Sequence, residues 1–428
     1  MSGGHADLLA AAGALLLPLL FALAQRGHRD RAAFLSNAGE NGFGATFAGA
    51  VGGNIGIGSF LAIYLFAAEA PVIGFSLALA YSAGLVLCAV ASPAIRARAQ
   101  GLGSIGLADF IARAHGGGAL PVWGALAVVF LLRSAVQLGA LGLITADLFG
   151  GRTALAILAV TAILGTYLLV GGYRAAVGTD RVQAAILIAG MALAAWGLWS
   201  ADVHPREMFT LGPYRPALLV GIWLLLPWSA VLGVDNWQRI TLASTDRTAQ
   251  RAYLGAAAVC AGILLTIAAA GWGSAPGRSV HETLALLMPG PLAWVATAVL
   301  VVSIMSSVDT FVMPLVSSIG HRTPLPWLRV LIAVLLIVSA GLAIAVSDLL
   351  PKVVAAFNSL VVFLPAAAGA LFIAQPPRGA AAASMLTGLV AALAMTPVDV
   401  NSAALVGFAV AALVYGVVWV LKATRGTS

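Results

Sequence analysis

Long apolar runs separated by short polar breaks follow one another along almost the whole chain. A helix needs roughly 18 to 20 apolar residues to cross a bilayer, and many of these runs are that long. The alternating segments of about 10 residues that indicate a membrane β-barrel are absent from the sequence. The pattern therefore predicts an all-α membrane protein with about thirteen transmembrane helices, at residues 8-24, 43-68, 71-95, 120-149, 153-170, 175-200, 217-235, 252-272, 290-318, 330-346, 352-374, 380-396 and 402-421.

Two of the predicted spans are interrupted in their middle. The second span contains the run Gly52-Gly53-Asn54-Ile55-Gly56-Ile57-Gly58-Ser59, and the seventh contains Leu226-Pro227-Trp228-Ser229. Breaks five helices apart are typical of transporters built from two inverted repeats, whose broken helices bind ions and substrate. We therefore predict one transporter domain over residues 1-428, with an extra helix at 8-24, five-helix repeats at 43-200 and 217-374, and two C-terminal helices at 380-421. A simpler alternative is that glycine and proline are common in membrane helices.

Composition excludes a water-soluble protein. Hydrophobic residues make up 61% of the chain and charged residues only 9%, with a mean hydropathy of +1.02, whereas a soluble domain has about 25% charged residues. The net charge of +7 comes from basic residues scattered through the loops, so it does not indicate a nucleic-acid partner. Cys88 and Cys260 lie within apolar runs, which leaves neither a disulfide framework nor a metal-binding spacing.

The loop charges predict the orientation in the lipid bilayer. With the N-terminus outside, sixteen Lys and Arg residues fall in cytoplasmic loops and five in outer loops. Cytoplasmic loops are normally the ones enriched in these residues. We therefore expect a protein integral to the cytoplasmic (inner) membrane, with its N-terminus outside and its C-terminus in the cytoplasm. The asymmetry also supports the span count, because one missed helix would invert the distribution downstream.

The ninth span carries a stripe of hydroxyl groups on neighbouring helix faces. It consists of Ser303, Ser306, Ser307 and Thr310, with Asp309 beside them. A hard cation such as sodium binds hydroxyl, carbonyl and carboxylate oxygens once its water is removed. The alternative is that the hydroxyls bond to carbonyls of their own helix and hold helices together. Asp309 favours a functional site, because a carboxylate at membrane depth is costly unless it is paired.

Three motifs together resemble the sodium:solute symporter family. They are Gly171-Gly172-Tyr173-Arg174-Ala175-Ala176-Val177-Gly178-Thr179-Asp180-Arg181-Val182-Gln183, then Asp235-Asn236-Trp237-Gln238-Arg239 continuing through Ala243-Ser244-Thr245-Asp246 to Ala249, and Ser306-Ser307-Val308-Asp309-Thr310. The resemblance covers residues 43 to 320, and the thirteen-helix layout is also similar to the family's. It implies a LeuT-like inverted-repeat fold and sodium-coupled transport.

The same resemblance implies the ion ligands. A principal sodium site would combine backbone carbonyls near Gly52 and Ile55 with the hydroxyls of Ser303, Ser306 and Ser307. A second sodium, found in some members of the family, would use Asp180, Ser306, Asp309 and Thr310. An aspartate at position 309 leaves the number of sodium ions and the identity of the ion open. The alternative for Asp180 is a helix cap or an ion pair with Arg181.

Arg133 lies in the centre of the fourth span, with Gln137 one turn later on the same face. A buried arginine needs an anion, and its planar fork suits a carboxylate. The family resemblance implies that this helix lines the substrate cavity, so we expect an organic anion to bind there. The alternative is a structural ion pair between Arg133 and Asp309. Further candidates for solute contact are Asn54, Ser59, Trp228, Ser229 and Asn358.

These patterns favour a sodium-coupled symporter that moves a small organic solute by alternating access. A proton-coupled amino-acid transporter of the same fold fits the broken helices equally well, and only the family motifs separate the two. A transport-inactive solute sensor would usually carry an appended signalling domain, which we do not expect. An intramembrane enzyme would need a catalytic dyad or metal ligands within the spans. We therefore expect no catalytic residue, no cofactor and no metal other than sodium.

Overall fold

The computed structural model describes residues 3–24, 31–36, 41–200, 207–319, 323–345 and 359–425. Helices dominate these ranges, and the β-type contact described within them is the isolated bridge between Asn41 and Ala243. The predicted all-α fold is confirmed.

The helices of the described residues are numbered here in chain order. They are α1 (Gly3–Ala24), α2 (Arg31–Ser36), α3 (Phe43–Asn54), α4 (Ile57–Glu69), α5 (Pro71–Leu102), α6 (Leu107–Ala114), α7 (Ala119–Thr145), α8 (Thr153–Ser200), α9 (Pro216–Val231), α10 (Val234–Leu242), α11 (Asp246–Trp272), α12 (Val280–Leu287), α13 (Trp294–Ile319), α14 (Leu325–Ala345), α15 (Leu364–Phe372), α16 (Ala380–Met395) and α17 (Val400–Arg425). Single 3-10 turns precede α13 and α15 and follow α7.

Seven helices of the described residues are long and apolar enough to cross a membrane, and the number rises to nine if each of two bent pairs forms one span. The predicted spans 8-24, 352-374 and 380-396 correspond to shorter apolar helices, and residues 346–358 lie outside the described ranges. The total of thirteen therefore stays a prediction.

The predicted fifth and sixth spans correspond to α8, which consists of two helical segments that meet at a kink at Gly172. This residue has a φ of +56°, a backbone conformation that side chains with a Cβ rarely adopt. A Cβ at this position would also lie 2.5 Å from the carbonyl oxygen of Phe34 in α2. The glycine pair of the first family motif thus makes the bend and allows α2 to pack closely against α8.

Two spans are bent, the first at the predicted run and the second later than predicted, because Leu226-Pro227-Trp228-Ser229 lies inside α9 and the chain bends after Val231. Helices α3 and α4 meet at an angle of 51°, and α9 and α10 meet at 47°. At the first break Ile55 and Gly56 have extended backbone conformations, so the helical hydrogen-bond ladder stops at Asn54. At the second, Gly233 is extended and α10 continues as far as Leu242, several residues beyond the predicted end of the seventh span.

Two arginines, of which Arg96 is buried, hold helix ends on the side of the bundle that the charge pattern assigns to the cytoplasm. Arg96 of α5 donates to the carbonyls of Ile240, Thr241 and Ala243, and its Nε lies 2.6 Å from Asp246 Oδ1. Arg98 donates to three carbonyls near the end of α15. The last carbonyls of a helix have no partner within it, and a cation there complements their partial negative charge.

Helix α13 lies at the centre of the bundle. Every residue from Ala296 to Ser318 is buried, so this helix has no face toward lipid or water. Its serines and Asp309 therefore point at other helices, chiefly α7, α8 and α1. The polar stripe predicted from the sequence is placed in the protein interior, where polar groups need partners.

Candidate functional site

The first break leaves backbone groups free of the helical ladder beside α13. Ser59 caps the start of α4, because its Oγ accepts from Gly56 N at 3.1 Å and donates to Gly56 O at 2.8 Å. Ile57 N donates to Gln137 Oε1 at 3.0 Å. The amide groups at this break are thus engaged, while the carbonyls of the last turn of α3 have no continuing helix to bond to them.

The hydroxyl stripe of α13 lies directly against this break. A methyl group added at Gly52 would overlap Ser306 Oγ, and one added at Gly56 would overlap Ser307 Oγ. Two of the predicted sodium-site serines are therefore adjacent to the predicted carbonyl segment. Only glycines allow this close approach, so the glycine-rich run serves the contact between the two helices.

The hydroxyl protons of the stripe are already donated. Ser303 Oγ bonds to Leu300 O at 2.9 Å, Ser307 Oγ to Ser303 O at 3.0 Å, and Thr310 Oγ1 to Ser307 O at 2.9 Å. The expected alternative, bonding back to the helix, is thus what these three hydroxyls do. A hydroxyl group has one O–H donor and two lone pairs, so each of these oxygens can still coordinate a cation.

Asp180 connects the stripe to a buried ion-pair cluster. Its Oδ1 accepts from Ser306 Oγ at 2.8 Å, and its Oδ2 accepts from Arg239 Nη2 at 3.1 Å. Arg239 Nη1 also donates to Asp235 Oδ2 at 2.9 Å. Asp180 lies inside α8 and pairs with Arg239 instead of its neighbour Arg181, which is exposed. The cap and Arg181 interpretations of Asp180 were therefore wrong.

Asp309 lies beside this cluster and is fully buried. Its Oδ2 accepts a hydrogen bond from Tyr167 at 2.6 Å, while its Oδ1 has no hydrogen-bond partner among the described residues. A small cavity of about 10 Å³ is lined by Asp180, Asp235, Asp309, Thr310 and Arg239 among others. This volume has room for about one water molecule or small ion.

A reciprocal pair of amides joins the two breaks. Asn54 Nδ2 donates to Asn236 Oδ1 at 2.8 Å, and Asn236 Nδ2 donates to Asn54 Oδ1 at 3.0 Å. Tyr81 donates to Asn54 Oδ1 at 2.9 Å, and Tyr253 donates to Asn236 Oδ1 at 3.0 Å. All four residues are buried, so the predicted solute contact Asn54 is engaged in the contact between α3 and α10.

Arg133 is buried among aromatic rings of α7, α13 and α5. Its guanidinium carbon lies 5.3 Å from the ring centroid of Phe130 and 4.8 Å from that of Phe311, which is cation–π geometry. Its positive charge also interacts with the nearby side chain of Tyr81. Gln137, one turn later, has a buried Nε2 without a partner among the described residues.

A cavity of about 580 Å³ lies on the other side of Tyr81. It is lined mainly by aliphatic residues of α4, α5, α9 and α17, together with residues 213–215, Asp399 and Ser402 at its mouth. Ser59 and Ser229 line it as predicted for solute contacts. Asn54, Arg133, Gln137 and Trp228 are not among its described lining residues, and Asn358 lies outside the described ranges.

The mouth of this cavity contains a hydrogen bond between Tyr214 and the end of α4. Tyr214 Oη donates to Glu69 Oε2 at 2.6 Å. Burial and this hydrogen bond raise the pKa of Tyr214 above its ordinary value, so the phenol keeps its proton across the physiological range.

Sequence reasoning assigned no site role to Tyr81, Tyr167, Asn236 or Arg239. Arg239 was counted as a cytoplasmic loop charge, but it is buried in α10. The spacing of Asp235 and Arg239, four residues apart, was the signal for an ion pair on one helix face. The tyrosines stand alone in apolar runs and carried no comparable signal.

The sequence matches no family model and no curated protein. The fold, however, is similar to solved transporter structures. A Na+-coupled sialic acid symporter in a substrate-bound outward-open state has a TM-score of 0.71 at 15% identity, with 97% of each chain covered. Mhp1, a nucleobase-cation-symport-1 family transporter, has a TM-score of 0.61 in a closed conformation with bromovinylhydantoin bound, at 15% identity over 92% of this chain and 95% of that chain. Its inward-facing conformation has a TM-score of 0.54 at 15% identity over 90% and 91%.

The chain therefore has the LeuT-like fold that the sequence resemblance implied. Both of these similar structures are transporters.

Proposed function

We propose that this protein is a sodium-coupled symporter that carries a small organic solute across the cytoplasmic membrane by alternating access. The observation that carries the proposal is the contact of Ser306 and Ser307 with the glycine-rich break. It brings hydroxyl oxygens of α13 to the carbonyls of α3, and such oxygens are the ligands that a hard cation prefers. The Na+-coupled function of the sialic acid symporter of the same fold supports the choice of ion.

The principal sodium site of the proposal consists of the carbonyls of Gly52 and Ile55 and the hydroxyls of Ser303, Ser306 and Ser307. A second sodium would lie near Asp180, Ser306, Asp309 and Thr310, in the direction of the small cavity. It would share the Asp180 carboxylate with Arg239, which already bonds one of its oxygens. We therefore propose the principal site as the coupling site and the second as auxiliary.

The solute of the proposal occupies the cavity of about 580 Å³ and contacts Ser59 and Ser229. A carboxylate-bearing anion is the proposed class, because the buried positive charge of Arg133 interacts with Tyr81, which lines the cavity, and is weakly screened in a buried setting. The mouth of the cavity in this proposal is formed by residues 213–215, Asp399 and Ser402, which line it. Under the proposed orientation this is the outer side, and the higher TM-scores of the outward-open and closed neighbours agree with that state.

The sodium site can be tested with sodium alone. We expect sodium chloride, but not potassium or choline chloride at equal ionic strength, to raise the melting temperature of the purified protein, because an ion that binds only the folded state stabilises it. Ser306→Ala removes one ligand and its hydrogen bond to Asp180, so the sodium concentration at half-effect should rise by about 10- to 100-fold.

Ser318→Ala is the matched control. Ser318 is buried on the same helix and bonds only to its own helix at Pro314 O, so this variant should keep the wild-type sodium midpoint. Equal stabilisation by all three salts, or an unchanged midpoint in Ser306→Ala, would contradict the proposed sodium site. In proteoliposomes, uptake of carboxylates driven by a proton gradient alone would favour the proton-coupled alternative.

A further inference from the structure

We propose that Tyr81 couples the solute cavity to the sodium site, as a positioning residue that acts through Asn54. This inference rests on the proposed function. Tyr81 belongs to α5, and its side chain lines the cavity of about 580 Å³. Its hydroxyl donates to Asn54 Oδ1 at 2.9 Å. One side chain therefore touches the solute space and a residue of the first break.

Asn54 can transmit a displacement of Tyr81 to the backbone of the first break. It is the last residue of α3 and lies between Gly52 and Ile55, whose carbonyls are proposed sodium ligands. An asparagine amide can make four hydrogen bonds. Asn54 makes all four: its Nδ2 donates to Ala50 O and Asn236 Oδ1, and its Oδ1 accepts from Tyr81 and Asn236. The orientation of the amide is therefore determined by its partners, and moving one of them changes the others.

The same hydrogen bonds extend to the second break. Asn236 Nδ2 donates to Ala230 O at 2.8 Å, in the last turn of α9. A movement of Tyr81 can thus reach the end of α3 and the end of α9 through two buried amides. The other predicted solute contacts in the cavity do not connect it to both breaks. Among the described residues, Ser59 bonds to Gly56, and Ser229 bonds to Leu226 of its own helix.

Coupling between two sites is a reciprocal free energy, so sodium binding must also change the cavity. This allows a test with sodium and a thiol reagent, without a known solute. Ala62 lines the cavity, and both native cysteines are buried. In an Ala62→Cys parent, sodium should change the rate of labelling by N-ethylmaleimide by about threefold or more, as the population shifts toward the outward-open state.

Adding Tyr81→Phe removes only the hydroxyl. The sodium effect on labelling should then fall to less than about 1.5-fold, while the sodium midpoint of the melting temperature stays within about twofold of the parent, because the proposed ligands are intact. If Tyr81 had only a structural role, Tyr81→Phe would lower the melting temperature but would leave the effect of sodium on labelling unchanged. Tyr64→Phe is the control, because its hydroxyl bonds to Thr283 and Arg278 O away from both breaks, and it should keep the full sodium effect.

The outcomes separate the inference from the proposed function. If sodium does not raise the melting temperature of the Ala62→Cys parent, the proposed sodium site itself is contradicted. A parent that responds to sodium, with an unchanged labelling response in Tyr81→Phe, overturns the coupling role alone. If Tyr81→Phe yields no folded protein, Tyr253→Phe removes the hydroxyl bonded to Asn236 Oδ1, and the same loss of response is expected from it. A full response in that variant overturns the inference.

Discussion

Gly52 determines how closely the broken helix approaches α13. The space that its Cβ would fill is taken by Ser306 Oγ, and Asp180 Oδ1 would lie 3.7 Å from it. A serine ligand, a carboxylate and a helix backbone meet at this point with no room for a methyl group. The proposed sodium site therefore depends on a missing side chain as much as on the side chains present.

Gly52→Ala should separate α3 from α13 and weaken sodium binding by about tenfold or more, equivalent to about 1.4 kcal/mol. The measurement is the sodium midpoint of the melting temperature. Gly44→Ala in the same helix is the control, because no atom lies within 4 Å of the position of its Cβ. Alanine also favours the helix over glycine, so this control should not lose stability. Equal sodium midpoints in both variants would show that the close approach at Gly52 is not needed for the ion.

At the residue scale, the sequence predicted members of the site better than their partners. The resemblance placed Ser306, Ser307 and Gly52 together, and the structure brings them into contact. The partners of Asp180 and Asp309 are Arg239 and Tyr167, which are 59 and 142 residues away along the chain. Such contacts depend on how the helices pack against each other. The hydrophobic pattern of one helix does not show which residue of another helix will face it.

At the scale of elements, the arginines of the charged side also stabilise helix ends. Arg96 joins the last carbonyls of α10 to the first residue of α11, Asp246. Asp235, Asn236 and Arg239 belong to α10. By holding the end of this helix, Arg96 therefore also helps to position the ion-pair cluster within the bundle. The charge pattern was used only to predict the topology, and it did not reveal this second role.

Arg96→Met should leave buried carbonyls of α10 without a donor, which costs about 3 kcal/mol or more. The melting temperature in detergent should fall by roughly 5 °C or more, and amide exchange over residues 234–243 should become faster than in the wild type. Arg247→Met is the matched control, since Arg247 lies in the first turn of α11 and is exposed. A loss of stability as large in Arg247→Met would assign the effect to net charge and not to the helix end.

The two bent spans differ in how well the sequence predicted the position of the bend. The glycine-rich run located the first bend correctly, because glycine weakens a helix. The second bend lies at Leu232 and Gly233 and not at the predicted run Leu226-Pro227-Trp228-Ser229, since Pro227 is held inside α9. The predicted seventh span ended at residue 235, whereas α10 continues to Leu242 with Asp235, Asn236 and Arg239 buried in it. They remain helical inside the protein because Asp180, Asn54 and Tyr253 supply their hydrogen bonds.

At the scale of the whole molecule, polar groups are arranged along one path through the bundle. The cavity of about 580 Å³ opens at one end, and the amide pair and the hydroxyl stripe follow beneath it. The carboxylates and Arg239 lie beyond these, and α2 packs below, where Leu35 O accepts from Gln238 Nε2 and Ser317 Oγ. A path open at one end and closed at the other is what alternating access requires of a single state.

The proposed orientation can be tested by labelling cysteines in intact cells with a membrane-impermeant maleimide. Ser402 lines the cavity mouth and Thr424 lies in the exposed last turn of α17, so the two positions mark opposite ends of one helix. Because the charge pattern places the C-terminus in the cytoplasm, Ser402→Cys should react in intact cells and Thr424→Cys only after permeabilisation. The unsubstituted protein is the control, and its buried Cys88 and Cys260 should leave it unlabelled. Labelling of Thr424→Cys alone in intact cells would invert the topology and place the open cavity on the cytoplasmic side.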